Sequence, residues 1–279
     1  MTELFQRTCS VTINKLKLTG HAVAFKVEKT LKPEPNSCWL EVRNLNEDHR
    51  AELEELKPKK KGDIRGIPVK IEAGYQGDEA LLWLGDLRTV TSLRDGPDWV
   101  TTLESGDGEK AIQNARIHQS FGPKTPVDTA LRAIVRTLGV GEGNLGQVVH
   151  RLKVNGFGKL LPHGTVLSGS ASRELTDFCK SADLEWSVQD GAIQFVDRGK
   201  VLAGKAIRLS ADTGMIGSPS VDNDGVLTVQ SQLIPDVRVG GLLVLDADRI
   251  KGGYRIVKAT WSGDTHGGDW TITMEAKRY

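Results

Sequence analysis

The chain has 279 residues, of which 38% are hydrophobic, with 37 Lys and Arg against 36 Asp and Glu. At roughly 100 to 200 residues per domain this length predicts about two domains, and the composition excludes disordered, collagen-like and coiled-coil chains. The net charge of +1 argues against a protein that coats nucleic acid, because displacing counterions from phosphates requires a clear basic excess.

The N-terminal segment and the cysteines indicate a reducing compartment. Residues 1–16 lack a basic stretch followed by an apolar run and a cleavage site, so we expect no secretory signal peptide. No run nears the roughly 18 apolar residues of a membrane span, so no membrane insertion is expected. The cysteines Cys9, Cys38 and Cys179 are far apart and odd in number, which predicts buried free thiols rather than disulfides or a four-ligand zinc site.

The first third of the chain is predicted to form strands. Alternating apolar and polar residues mark Ala22–Val27, Trp39–Val42, Pro68–Tyr75, Leu81–Gly85 and Trp99–Leu103. Asn46 as N-cap, acidic residues after it and Pro58 beyond the end predict a helix over Glu47–Leu56. The basic run Lys57–Lys61, which extends to Arg65, is expected to be a solvated loop, with a partner-binding patch as the alternative.

Helical periodicity is clearest in the middle third. Thr125 is a suitable N-cap with Pro126 at the first helical position, and Gly139 ends the helix. The apolar face of this helix consists of Leu131, Ile134, Val135 and Leu138. A second helix starts near Ser170 and buries Leu175, Phe178, Cys179 and Ala182.

A β-hairpin is predicted directly after the second helix. If Asp190-Gly191 forms a two-residue type I′ turn, Val188 faces Ile193 and Trp186 faces Phe195. Both pairs then bring large apolar groups together on one face, and a slip of one residue would destroy the match.

The last third is again rich in predicted strands. Asn223-Asp224-Gly225 predicts a turn before the strand Val226–Gln230, and a second strand covers Tyr254–Trp261. The loop Ser262–Asp269 leads to a final strand in which Trp270, Ile272 and Met274 share one face and Thr271, Thr273 and Glu275 the other. The three thirds therefore indicate β, then α+β, then β structure.

Catalytic and cofactor-binding motifs are absent or better explained structurally. Gly141–Gly146 fits the G-x-G-x-x-G pattern, but it follows a helix rather than a strand, so we interpret it as a flexible connector. The phosphate-binding, serine-hydrolase and zinc-protease signatures do not occur. The six tryptophans are expected to be core or interface anchors rather than a stacking platform: Trp39, Trp83, Trp99, Trp186, Trp261 and Trp270.

Two acidic loops could in principle hold a metal. Asp264, His266 and Asp269 share one loop, where carboxylates and an imidazole could bind an ion or perform acid–base chemistry. The glycines between them favour a structural hairpin tip instead. The run Asp222–Asp224 lacks the twelve-residue calcium loop with its final glutamate, so an Asx turn is the expected structure.

The order of motifs resembles a known family. The segments that carry the resemblance are Ala24–Thr30, Pro35–Asn46, Ile71–Tyr75, Thr213–Pro219, Leu227–Val229, Pro235–Gly240 and Gly263–Trp270. Together they resemble bacteriophage tail baseplate hub proteins, which are related to the hub part of type VI secretion spike proteins. The middle third is similar only in its helix-and-hairpin style, and the basic stretch Lys57–Arg65 looks longer than the family needs.

The resemblance implies a mainly β fold with an α+β insert. Two related antiparallel β-barrel-like domains, at residues 1–105 and 205–279, would flank a mixed helix/hairpin domain at residues 106–204. Three chains would form a homotrimeric ring with pseudo-sixfold symmetry, which joins the tail tube to the spike and encloses a channel for DNA in transit. The family has no active site, cofactor or metal, so the resemblance implies no enzyme, and no site residues are assigned.

The resemblance also implies partners and a location. The expected partners are the tail spike protein, tail tube or tube-initiator proteins and other baseplate subunits. The expected location is the virion tail baseplate, assembled in the bacterial host cytoplasm.

Two other classes of function remain open. A glycan-binding or hydrolytic tail component would use exposed aromatics or paired carboxylates, with Trp99 and Asp264 as candidates. A metal-dependent enzyme would use the loop of Asp264, His266 and Asp269.

Overall fold

The computed structural model describes residues 6–57, 66–154, 160–161 and 163–279. These residues divide into two compact units. The sheet unit comprises residues 6–30, 37–107 and 201–279, and the α+β unit comprises residues 31–36 and 108–200. Of the basic stretch Lys57–Arg65, only Lys57 lies within the described residues, so the role of that stretch stays a prediction.

Strands dominate the chain, with helices in and around the middle third. The strands are β1 (Arg7–Ile13), β2 (Leu16–Leu18), β3 (Val23–Thr30), β4 (Asn36–Arg43), β5 (Pro68–Tyr75), β6 (Asp78–Asp95), β7 (Asp98–Asp107), β8 (Arg116–Phe121), β9 (Thr165–Ser170), β10 (Leu184–Gln189), β11 (Ala192–Asp197), β12 (Ile207–Ser210), β13 (Met215–Val221), β14 (Val226–Gln232), β15 (Leu242–Asp246), β16 (Lys251–Asp264) and β17 (Trp270–Arg278). The helices are α1 (Glu47–Leu56), α2 (Glu109–Asn114), α3 (Val127–Leu138), α4 (Leu145–Val154) and α5 (Ala171–Ser181), and a short 3-10 helix covers Ala211–Thr213. No helix in the described part of the chain is long and apolar enough to span a membrane.

The sheet unit is built on one large, mostly antiparallel sheet. Its strand order is β13-β14-β17-β16-β3-β4-β7-β6-β5-β1-β2, with β15 also beside β16 and a parallel pair formed by β12 and β15. The order ends at β13 and β2, so the described strands do not close into a barrel by hydrogen-bonded pairing. The mainly β fold with an α+β insert is confirmed, whereas the division into two related barrel-like domains stays a prediction.

Strand β16 joins the first and last thirds of the chain. Its first half pairs with β15, and its second half pairs with β3 along the same edge, where Trp261 faces Val27. Strand β17 follows the opposite edge of β16 and passes a register shift between Ile256 and Lys258. Fourteen residues give β16 the length to hold both neighbours in succession.

Local sequence rules explain most elements of the sheet unit. Helix α1 has the predicted bounds, because the Asn46 side chain accepts a hydrogen bond from the His49 backbone N–H at 2.8 Å. In β17 the side chains of Trp270, Ile272 and Met274 are buried, as the alternation predicts. The core holds Trp83, whose Nε1 donates to Ser105 Oγ at 2.9 Å, and Trp261, whose Nε1 donates to the Ile234 carbonyl at 3.2 Å.

The α+β unit packs helices against the predicted hairpin. Strands β10 and β11 pair Trp186 with Phe195 and Val188 with Ile193, so the predicted register is confirmed. Its turn residues Asp190 and Gly191 have φ values of 52° and 78°, as a type I′ turn requires. The hairpin and helices bury one apolar core that includes Leu131, Ile134, Leu138, Leu145, Leu175, Cys179, Trp186 and Phe195.

Two local predictions in the α+β unit need correction. Pro126, not Thr125, occupies the N-cap of α3, which begins at Val127. Thr125 lies one residue before the cap, and its hydroxyl donates to the Gly122 carbonyl at 2.7 Å. The Gly141–Gly146 segment is not a flexible connector. Its Asn144 side chain binds both backbone groups of Phe195, accepting from N at 2.8 Å and donating to O at 2.7 Å.

Candidate functional site

The tip of the β16–β17 hairpin contains the acidic loop that the sequence singled out. The Asp264 backbone N–H donates to the Asp269 carbonyl at 2.8 Å, and the His266 N–H donates to Asp264 Oδ1 at 2.8 Å. His266 Nδ1 lies 3.0 Å from Thr265 Oγ1. The described residues contain no group of three or more His, Cys, Asp or Glu that could hold a metal. These hydrogen bonds are those of a structural turn, and ion binding by the loop stays an untested alternative.

Arg7 fixes this tip to the other end of the sheet. Its Nη1 donates to the carbonyls of Asp264 at 3.0 Å and Gly268 at 3.2 Å, and its guanidinium carbon lies 5.6 Å from the centre of the Trp270 ring. Strands β3, β4, β7, β6 and β5 separate β1 from β16 in the sheet. The contact therefore requires the sheet to curl until β1 approaches the hairpin tip.

The tip also borders an open cleft of about 680 Å³ within the sheet unit. Its charged lining is already paired: Glu41 Oε1 lies 2.9 Å from Arg43 Nε, and Asp98 Oδ1 accepts from Asn44 Nδ2 at 3.0 Å. These contacts hold both carboxylates in fixed positions at the edge of the cleft.

The aromatic residues offer little to a flat glycan-stacking surface. The Arg50 guanidinium carbon lies 4.2 Å from the centre of the Trp99 ring and covers one face of it. Trp39 is the most exposed of the six, with 38% of its surface accessible. Four tryptophans are buried in the core: Trp83, Trp186, Trp261 and Trp270.

The cysteines are free thiols. Cys38 and Cys179 are buried, as predicted, whereas Cys9 is half-buried. Burial raises the pKa of Cys9 and Cys179 to about 12 and also raises that of Cys38. Thiols with raised pKa values are mostly protonated at neutral pH, so they are weak nucleophiles and weak metal ligands.

One side of the sheet carries an extended polar surface. The polar face consists of Thr228, Gln230 and Gln232 on β14; Thr271, Thr273, Glu275 and Lys277 on β17; Lys258, Thr260 and Ser262 on β16; Lys26, Glu28 and Thr30 on β3; and Ser37, Trp39, Glu41 and Arg43 on β4. Strand pairing places these residues in rows, for example Gln230, Thr273, Thr260, Glu28 and Ser37. The alternate residues of the same strands form the buried core.

Lys258 on the polar face is paired with carboxylates on both neighbouring strands. Lys258 Nζ lies 2.6 Å from Glu28 Oε1 and 3.7 Å from Glu275 Oε1. The hydrogen bond to Glu28 raises the pKa of Lys258. Around Lys258 the surface therefore presents paired charges beside the hydroxyl groups of Thr260 and Thr273.

Three features of the structure were not predicted from the sequence: the role of Arg7, the role of Asn144, and the assembly of the polar residues into one continuous surface. No local signal marks Arg7, because its partners lie 257 to 261 residues away. The polar residues were visible as the outward half of each alternating strand. Their assembly into one surface depends on the pairing of β3 with β16, which no sequence pattern specifies.

A family model identifies the family of this chain, and comparisons with solved structures identify its fold. The family model described as "Baseplate hub gp41" matches residues 9–276. A tail protein from Neisseria meningitidis MC58 has a TM-score of 0.64 at 8% identity, covering 98% of this chain and 97% of that chain. The prophage MuSo2 43 kDa tail protein from Shewanella oneidensis has a TM-score of 0.62 at 10% identity, covering 97% of both chains.

A third match comes from a secretion system. An E. coli protein described as a component of the type VI secretion system, with structural similarity to the T4 tail proteins gp27 and gp5, has a TM-score of 0.59 at 10% identity. The match covers 96% of this chain and 76% of that chain. No curated protein sequence matches the chain.

Proposed function

Because the chain belongs to the Baseplate hub gp41 family, and is therefore a structural component of a phage tail, we propose that it forms the homotrimeric central hub of the baseplate. In this role it joins the tail tube to the spike and encloses a channel through which DNA passes. The observation that carries the proposal is the family match over residues 9–276, which leaves almost none of the chain for a different activity.

The architecture of the sheet unit supports a ring. The pairing of β16 with β3 brings the first and last thirds of the chain into one sheet, so each chain contributes both terminal regions side by side. If these regions are two related domains, three chains present six similar units. A trimeric spike and a hexameric tube would then meet a ring that suits both symmetries.

A non-enzymatic role agrees with the candidate site. The side chains of Asp264 and His266 are engaged in their own turn, and Glu41 and Asp98 are bound to neighbouring side chains. The proposed partners are a second and third copy of the chain, a spike protein, tube or tube-initiator proteins and other baseplate subunits. Assembly is proposed to occur in the cytoplasm of the bacterial host.

Native mass spectrometry tests the proposal. The purified chain is measured at micromolar concentration and moderate salt, alone and with a candidate spike protein. We expect a species of three times the chain mass of 30.4 kDa, and a further species that adds the spike. A chain that stays monomeric with the spike protein of its own phage would contradict the hub assignment.

A further inference from the structure

We propose that a pocket in the sheet unit binds a segment of a partner protein that carries one apolar side chain next to a carboxylate. The β12–β15 pocket lies where these two parallel strands begin, at Ile207 and Leu242, and has a volume of about 240 Å³. A single chain forms the whole pocket. The inference therefore goes beyond the proposed function, because it assigns a binding surface and the chemistry of its partner without requiring a ring.

The backbone around the β12–β15 pocket is fixed by hydrogen bonds. The Leu202 N–H donates to the Gly240 carbonyl at 2.7 Å, and the Gly240 N–H donates to the Ile256 carbonyl at 2.7 Å. The Gly241 N–H donates to the Arg238 carbonyl at 3.0 Å, and a Cβ added to Gly241 would lie only 2.9 Å from that carbonyl oxygen. The pocket is therefore formed before a ligand arrives, so binding does not have to order these loops.

The base of the β12–β15 pocket is aliphatic. It consists of the side chains of Leu202, Ile207, Leu242 and Ile256. Ile256 is fully buried, whereas the other three are half-buried, so a ligand that covers them removes apolar surface from water. Small-molecule sites usually have volumes of roughly 300 to 1,000 Å³. The smaller volume of this pocket suits a single apolar side chain of the kind that anchors a protein interface.

The rim of the β12–β15 pocket carries an excess of one positive charge. Lys205 and Arg238 line it together with Asp236, and all three side chains are exposed. Within the part of the chain that the structure describes, none of these three side chains forms a hydrogen bond or an ion pair. One carboxylate beside the anchoring side chain balances the charge of the rim, and complementarity of this kind fixes the register of a bound segment.

Methyl NMR spectroscopy of the purified chain locates the binding site. The chain is labelled at the Ile and Leu methyl groups and titrated with a capped hexapeptide that has Leu followed by Asp at its centre, with Gly and Ser on both sides. We expect saturable shifts of the methyl signals of Leu202, Ile207 and Leu242. A peptide with Ala in place of Leu should bind about tenfold more weakly, because it buries less apolar surface. A peptide with Asn in place of Asp should bind about threefold more weakly, because exposed ion pairs contribute little.

Two pairs of variants connect this binding to the pocket. Ala203→Leu fills the pocket without changing its charge and should abolish binding, whereas Ala51→Leu, at an exposed position of α1, should leave the affinity unchanged. Arg238→Gln removes one cation of the rim and should weaken binding about threefold, with a smaller salt dependence than wild type. Arg249→Gln is the matched control, because Arg249 is exposed and does not line the pocket.

The same experiments contain the results that would overturn the inference. Absent shifts, shifts confined to other methyl groups, or equal affinities for the Leu and Ala peptides would show that the pocket does not hold an apolar anchor. Tighter binding of 4-methylpentanoate than of the Leu-Asp peptide would mean that the pocket takes a small acid. A changed oligomeric state of Ala203→Leu alone, measured by native mass spectrometry, would mean that a second copy of the chain fills it. A wild-type chain that is not a trimer would instead refute the proposed function and leave the titration interpretable.

Discussion

The contacts within the α+β unit join residues that are close in sequence, whereas many contacts within the sheet unit join residues that are far apart in sequence. The α+β unit is built almost entirely from the continuous stretch 108–200, whereas the sheet unit combines three separate stretches from the beginning, the first half and the end of the chain. Hairpin β10–β11 closes through two residues, but the pairing of β16 with β3 joins residues more than 200 positions apart. Local rules of sequence therefore describe the α+β unit well, while the sheet unit depends on pairing that only the complete chain provides.

Of the variants considered, Trp261→Ala should cause the largest loss of unfolding free energy, and this loss should be confined to the sheet unit. Trp261 is 1% exposed and lies where β16 pairs with β3, so its loss should cost about 3 to 5 kcal/mol of unfolding free energy. Hydrogen exchange measured by mass spectrometry should show lost protection in β3, β16 and β17, with β10 and β11 unchanged. An equal loss of protection in both units would contradict the separation between them.

The variant Leu131→Ala provides the matching change in the α+β unit. Leu131 is fully buried in α3, and its truncation should cost about 2 to 4 kcal/mol. The same exchange experiment should now show lost protection in α3, α5 and the β10–β11 hairpin, while β3 and β16 keep theirs. Faster exchange in β16 would show that the units do not respond independently.

The variant Asn144→Ala tests whether the glycine-rich connector is held to the hairpin. It leaves the buried backbone groups of Phe195 without their side-chain partner, which should cost about 1 to 2 kcal/mol in chemical denaturation. Asn144→Asp is a second variant: it keeps the acceptor for the Phe195 N–H but brings a carboxylate oxygen against the Phe195 carbonyl, so it should also be destabilised. A neutral Asn144→Ala variant would restore the interpretation of a flexible connector.

The smallest effect is expected at the ion pairs of the polar face. Replacing Lys258 with Gln should cost less than about 1 kcal/mol, because the pair with Glu28 is partly exposed. Since folding raises the pKa of Lys258, its contribution should be complete below the ordinary lysine value of 10.5 and be lost as the pH rises through the higher folded value. Denaturation of both proteins at pH 8 and pH 11 measures this. A difference that grows with pH would contradict the assigned cause.

Structure that depends on local contacts could be predicted from the sequence, whereas structure that depends on long-range contacts could not. The bounds of α1, the register of β10–β11 and the buried face of β17 follow from caps, turn residues and alternation that act within a few positions. The predicted N-cap of α3 was wrong by one residue. The general preference for threonine at N-caps does not show that the Thr125 hydroxyl instead donates to the Gly122 carbonyl, one residue before the cap.

The candidate site shows more clearly which contacts cannot be predicted from the sequence. The sequence identified the loop of Asp264 and His266 and favoured a turn, and the hydrogen bonds within the tip agree with that interpretation. It could not identify Arg7 as the residue that fixes the tip, because that contact exists only once the sheet has curled. The polar face was equally hidden, since alternation gives the outward residues of each strand but not the neighbour of that strand.

Electron cryo-microscopy of the purified chain bound to its spike protein tests the central claim most directly. We expect a threefold ring of chains with the spike bound to it and an opening along the symmetry axis. A particle without threefold symmetry, or a single chain bound to the spike, would contradict the hub assignment.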